Sequence, residues 1–121
     1  VSVRSGLNKE KLAFLEKLQE WAEFNDATFK QVEGYPAWEY KKDSRLRETM
    51  VKVYEEMFAK PPRVVAIHSG LECGLLSGKL PGLDCVSIGP NMYDLHTPRE
   101  RFEIASVQRI WKFLLETLKN L

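Results

Sequence analysis

At 121 residues the chain is long enough for one ordinary domain or for pieces of two. A hydrophobic share of 44% beside 29% charged residues excludes a disordered polymer, and a net charge of +1 with interleaved acids and bases gives no case for nucleic acid. The longest apolar runs fall far short of the roughly 20 residues a membrane span needs, and no cationic-then-apolar leader marks the chain for export. A globular protein of the cytoplasm is the expectation.

The chain starts at Val1 in the β-like stretch Val1-Ser2-Val3-Arg4-Ser5, with no preceding turn or partner strand, which is expected of a piece of something longer. Residues 9 to 25 predict an amphipathic helix. Leu12, Leu15, Leu18 and Ala22 recur at helical spacing, Phe14 and Trp21 widen the stripe, Asn8 is the N-cap, and Asn25-Asp26 is the stop. Thr28 to Tyr40, rich in β-branched and aromatic types, predicts an extended segment interrupted at Gly34 and Pro36. Strand, helix, strand is an α/β half-motif with too few strands for a sheet of its own.

Composition then shifts at Lys41-Lys42-Asp43, which reads as a charged hinge and places a boundary near residue 42. Asp43 or Ser44 can cap a second helix running to about Ala59. Leu46, Met50, Val53 and Met57 form its buried face, and Pro61-Pro62 ends it. Val64 to Ile67 and Cys85 to Ile88 are short, almost wholly apolar strands, the pattern of a sheet covered on both faces. Thr97-Pro98-Arg99-Glu100 matches the reciprocal helix-start box with proline at the first helical position. Phe102 to Ile104 reads as extended, so the last helix is expected to begin near Ala105. Its core stripe would be Val107, Ile110, Trp111, Leu114 and Leu118.

Both histidines and both cysteines lie between Arg63 and Glu100. His68 and Glu72 follow the first apolar run and His96 follows the second, each in a loop with glycine or proline nearby. Apolar strands that deliver histidine, carboxylate and backbone amides into adjacent loops are how open α/β sheets build a site. Absence of any CxxC pair excludes a zinc finger, and free thiols are expected at Cys73 and Cys85.

The run His68-Ser69-Gly70-Leu71-Glu72-Cys73-Gly74, then Pro81-Gly82-Leu83-Asp84, Ser87-Ile88-Gly89-Pro90 and His96-Thr97-Pro98-Arg99-Glu100, resembles the C-terminal part of the aminoacyl-histidine dipeptidases. These are carnosinase-like dinuclear-zinc exopeptidases whose catalytic domain carries an inserted lid. Ser2-Val3-Arg4-Ser5 and Tyr35-Pro36-Ala37-Trp38 extend the resemblance upstream. The heptad from His68 to Gly74 is the more specific element; the His-x-Pro-x-Glu element is shared more widely.

The resemblance implies residues 1–42 as the end of a lid or dimerisation domain and 43–121 as the C-terminal helix-strand-strand-helix part of a catalytic domain. It implies His96 as one terminal ligand of a zinc pair. Residue chemistry agrees, since a neutral imidazole on a strand-to-helix loop is a normal zinc ligand that Asp94 or Glu100 would orient. A plain loop histidine near a helix N-terminus is the alternative. The resemblance implies Arg4 as the lid arginine gripping a substrate carboxylate with its guanidinium fork, and an arginine solvated on an edge strand is the alternative. Gly70 lies where the family brings backbone to substrate, and a plain turn glycine is the alternative. Glu72 either meets a substrate ammonium group or stabilises its loop at a helix N-terminus. His68 is expected to be a hydrogen-bonded structural histidine.

The family draws its other metal ligands from a His-x-Asp motif, a later aspartate and a Glu-Glu pair, and its general base lies upstream; none of these motifs occurs here. Glu55-Glu56 is the sole adjacent glutamate pair, and it reads as the solvent face of a helix. The expectation is therefore one segment of a zinc-dependent dipeptidase for substrates such as carnosine, inactive in isolation and paired through its lid into a homodimer. The alternative is a non-catalytic small α/β binding or dimerisation module on the same scaffold.

Overall fold

The structure is a computed structural model and describes residues 1–32, 34–68 and 72–121. Among the described residues there are four helices and one two-stranded antiparallel sheet. They are α1 (Asn8–Phe24), α2 (Arg45–Phe58), α3 (Glu72–Lys79), β1 (Met92–Tyr93), β2 (Arg101–Phe102) and α4 (Ile104–Lys119). The chain divides into two compact units, one of Val1–Lys42 with Val65–Leu83 and the other of Asp43–Val64 with Asp84–Leu121.

In the first unit, the start of α1 is tied to the segment before the hinge. Asn8 is the first helical residue rather than the cap. Its side-chain oxygen accepts from the Ala37 N–H at 2.8 Å, and its own N–H donates to Glu39 at 3.2 Å. Lys11 Nζ donates to the Tyr35 carbonyl at 2.6 Å. The inward line of α1 is Lys11, Leu15, Leu18 and Ala22, while Leu12, Phe14 and Trp21 lie exposed. The apolar stripe is thus wider than the buried one, because a helix touching a single short segment covers only one narrow edge. Helix α3 presents Gly74 and Gly78 to Pro36 and Trp38. A Cβ on Gly74 would stand 3.1 Å from the Pro36 carbonyl oxygen, so glycine permits this approach.

In the second unit, α2 starts where the sequence places it. Ser44 is the N-cap, its hydroxyl accepting from the Arg47 N–H at 3.1 Å. Ala59 closes the helix in the left-handed region at φ 52°, and Pro61 prevents resumption. Helices α2 and α4 pack together over Met50, Val53 and Phe113, with Leu46, Tyr54, Met57, Phe58 and Val86 around them. Tyr54 meets Phe113 edge-on, ring centroids 5.5 Å apart, a favoured aromatic geometry. A cleft of about 250 Å³ opens beside this cluster, bordered by Phe58, Asn91, Arg109 and Phe113.

Several expected elements differ. Val1 to Ser5, Thr28 to Tyr40, Val64 to Ile67 and Cys85 to Ile88 form no ladder among the described residues. A strand exists only by pairing with a neighbour, and the ladder present is instead Met92↔Phe102 and Tyr93↔Arg101. The inward line of α4 is Ser106, Ile110, Phe113 and Thr117. Ile110 is inward and Leu114 half-buried as expected, while the rest of the line runs one position earlier than the expected stripe. Val107, Trp111 and Leu118 face outward. Helix α3 is met in the sequence only as the helix N-terminus that is one alternative at Glu72; its extent to Lys79 has no counterpart there. Cys73 and Cys85 form no disulfide. Among the described residues no helix is long and apolar enough to cross a membrane.

Candidate functional site

The β1–β2 hairpin in the second unit carries His96. Its mouth is closed by the Glu103 N–H donating to the Asn91 carbonyl at 3.0 Å, and by the Asn91 N–H donating to the Ser106 hydroxyl at 2.9 Å. Between the strands, Asp94 and His96 both take left-handed backbone, at φ 52° and 62°. That conformation costs a residue with a Cβ about 1–2 kcal/mol, so the surrounding bonds must impose it.

Those bonds are on the loop itself. Glu100 Oε2 accepts from the His96 N–H at 2.8 Å. The Thr97 hydroxyl donates to the Asp94 carbonyl at 2.7 Å and accepts from the Arg99 N–H at 3.2 Å. The Glu100 N–H closes the turn on the Thr97 carbonyl at 3.0 Å. The Asp94 carboxylate pairs with the Arg101 guanidinium, which also lies 5.3 Å from the centre of the Tyr93 ring. The motif read from sequence as a helix start forms a turn here, because β2 intervenes before α4: the Thr97 hydroxyl accepts from Arg99 rather than Glu100, and the Glu100 carboxylate from His96 rather than Thr97.

The His96 side chain is exposed, and its imidazole makes no hydrogen bond among the described residues. Neither carboxylate bonds the ring: Glu100 holds the His96 main chain, and Asp94 is engaged with Arg101. An exposed imidazole on a fixed loop suits a metal donor. Among the described residues, however, no three His, Cys, Asp or Glu side chains gather closely enough to hold a metal ion. His96 fits as one donor of a set, and the described residues do not supply a complete one.

The other candidates lie in the first unit. Arg4 is exposed and has no ion-pair partner among the described residues. One position on, Ser5 donates to Glu10 at 3.2 Å and accepts from the Leu7 N–H at 3.1 Å, which turns the chain into α1. Gly6, at that turn, is backed by the His68 ring. A Cβ there would stand 3.4 Å from Nδ1 and Cε1, so the Arg4 segment runs beside His68. Glu72 is the exposed first residue of α3, where the helix dipole favours its negative charge. Gly70 lies outside the described residues.

Beneath the hairpin, Glu103 is held ionised below the ordinary carboxylate range. The hydrogen bond from Asn91 at 2.9 Å is the main cause, followed by that from Arg109 at 2.8 Å and the Arg109 charge. Sequence reasoning missed this residue, because its partners lie twelve positions before it and six after it.

No family model matches the chain. It is 39% identical over 88 residues to the cytosol non-specific dipeptidase of Escherichia coli (strain K12), an alignment taking in 73% of this chain and 18% of that protein. Its fold superposes on the crystal structure of aminoacylhistidine dipeptidase from Vibrio alginolyticus with a TM-score of 0.79 and 31% identity. That match covers 95% of this chain and 24% of the other. In sequence and in fold, the chain matches a segment of the aminoacylhistidine dipeptidase family. It spans less than a quarter of the length of either relative.

Proposed function

We propose that the chain is part of a zinc-dependent dipeptidase of the cytoplasm that hydrolyses aminoacyl-histidine dipeptides such as carnosine. The observation that carries this reading is the joint match, 39% identity to one dipeptidase and a TM-score of 0.79 to another, with the loop of His96 held by its own hydrogen bonds. On this reading residues 1–42 close a lid that pairs two subunits, and residues 43–121 belong to the catalytic domain.

Zinc, when bound, supplies an activated water and polarises the scissile carbonyl. The work of this chain is then to bind and orient. His96 donates one imidazole nitrogen to the metal pair. Arg4 grips the substrate's terminal carboxylate with two parallel N–H donors, a geometry that Lys cannot copy. Gly70 brings main chain close to the substrate, and Glu72 meets its ammonium group. The remaining metal donors and the general base come from the rest of the catalytic domain.

The test is made on the full-length protein, by zinc content and carnosine hydrolysis. His96→Ala should lower zinc affinity by more than the roughly 10–100-fold loss typical of removing a residue that only supports a ligand, with hydrolysis falling in step. Unchanged zinc content and unchanged hydrolysis in that variant would refute the assignment.

A further inference from the structure

We propose that Glu100 is a positioning residue for His96, setting the direction of its imidazole through the main chain. The inference rests on the reading of His96 as a metal donor. The Cα–Cβ bond of a residue points where its backbone dihedrals send it, and His96 sits at φ 62°, a region that residues with a Cβ seldom occupy. The imidazole has no hydrogen-bond partner of its own among the described residues, so no bond to the ring chooses its orientation there. What fixes it is the amide: the His96 N–H donates to Glu100 Oε2 at 2.8 Å, a charge-assisted bond and hence among the stronger kinds.

Glu100 is itself held at both ends. Its N–H donates to the Thr97 carbonyl at 3.0 Å, and the Thr97 hydroxyl ties the turn back to Asp94 at 2.7 Å. The carboxylate reaches back four residues and bonds main chain, so both ring nitrogens stay available to a metal. A carboxylate bonded to the ring instead would have used one of them. Metal donors work only when placed within about 0.5 Å of productive geometry, so a device that fixes the histidine backbone acts on metal affinity.

In the full-length protein, the zinc dissociation constant is measured by competition with a chelator of known affinity, and exchange of the His96 amide is followed by NMR. Glu100→Ala is expected to weaken zinc binding about 10–100-fold and to release the His96 amide to exchange. Glu100→Gln, which keeps an acceptor oxygen at the same reach, should restore most of both. Thr97→Val, which leaves the carboxylate in place but cuts its support, should shift both readouts the same way by less. If Glu100→Ala leaves zinc affinity unchanged while His96→Ala lowers it, the positioning role fails and the ligand reading stands. If His96→Ala has no effect either, the ligand reading fails and takes this inference with it. A loss as large in Glu100→Gln as in Glu100→Ala would show that charge, not the amide bond, is what matters, and would also overturn the proposal.

Discussion

The hydroxyl of Ser44 donates to Asp84 at 2.6 Å across forty positions of chain, and the same carboxylate accepts from the Leu46 N–H at 3.0 Å. One side chain thus satisfies two donors at the start of α2, while Ser44 itself caps Arg47. Ser44 is only 3% exposed, so losing Asp84 leaves its buried hydroxyl proton without an acceptor while the cap on Arg47 remains. Asp84→Ala is expected to destabilise the protein by about 2–3 kcal/mol, combining a lost charged hydrogen bond with an orphaned donor. A urea midpoint unchanged in that variant would contradict this account of the helix start.

Phe113, 4% exposed, stands at the centre of the α2–α4 core and meets both Tyr54 and Phe58. Phe113→Ala should cost about 3–5 kcal/mol, while Phe113→Leu, which refills most of the volume, should cost distinctly less. Chemical denaturation of the two variants checks the order.

Ala59 takes left-handed backbone at φ 52° to end α2, a post for which glycine is better suited. Ala59→Gly is expected to stabilise by up to about 1 kcal/mol, since relief of the Cβ clash exceeds the added freedom of the unfolded chain. A fall in melting temperature would show that the clash is not what the residue bears.

The Thr117 hydroxyl is buried with no hydrogen-bond partner among the described residues. Thr117→Val keeps the branched shape and removes the unsatisfied oxygen, so a gain of about 1 kcal/mol is expected, read as a higher denaturation midpoint.

The Glu103 carboxyl sits below its ordinary range through Asn91 first and Arg109 second. A carboxyl whose folded pKa is depressed contributes stability above its unfolded pKa and loses that contribution as pH falls through the folded value. The hairpin should therefore weaken on the acid side of the normal glutamate range. Asn91→Ala should move the Glu103 titration, followed by carboxyl NMR, back toward the ordinary value. An unmoved titration would remove the hydrogen bond as its cause.

How legible these features are in the sequence depends on whether their causes are local. Ser44 and Pro61-Pro62 bracket α2 with residues adjacent to its ends, and the helix runs between them as expected. Helix α3 beyond its start was hidden because Gly74 and Gly78 argue against a helix by propensity. Its seat on Pro36 and Trp38, more than thirty positions away, overrides them. Part of the α4 face is off by one position because Val107, Trp111 and Leu118 are more apolar than the buried Ser106 and Thr117, so composition favours the wrong one of two adjoining edges. At the candidate site, His96 and Glu100 were legible as chemistry-bearing residues. Their relation was not: the motif that holds them is written identically for a helix start and for a turn, and only β2 following at Arg101 decides which.

Val64, Val65, Ile67 and Ile88 have 49%, 57%, 42% and 40% of their surface open to water, on runs that no ladder crosses among the described residues. Bare backbone flanked by oily side chains is the surface onto which another strand of any origin can zip. Handled as this length of polypeptide, the protein is thus expected to show solution behaviour governed by how crowded it is: monodisperse when dilute, and increasingly sticky as the tube is concentrated.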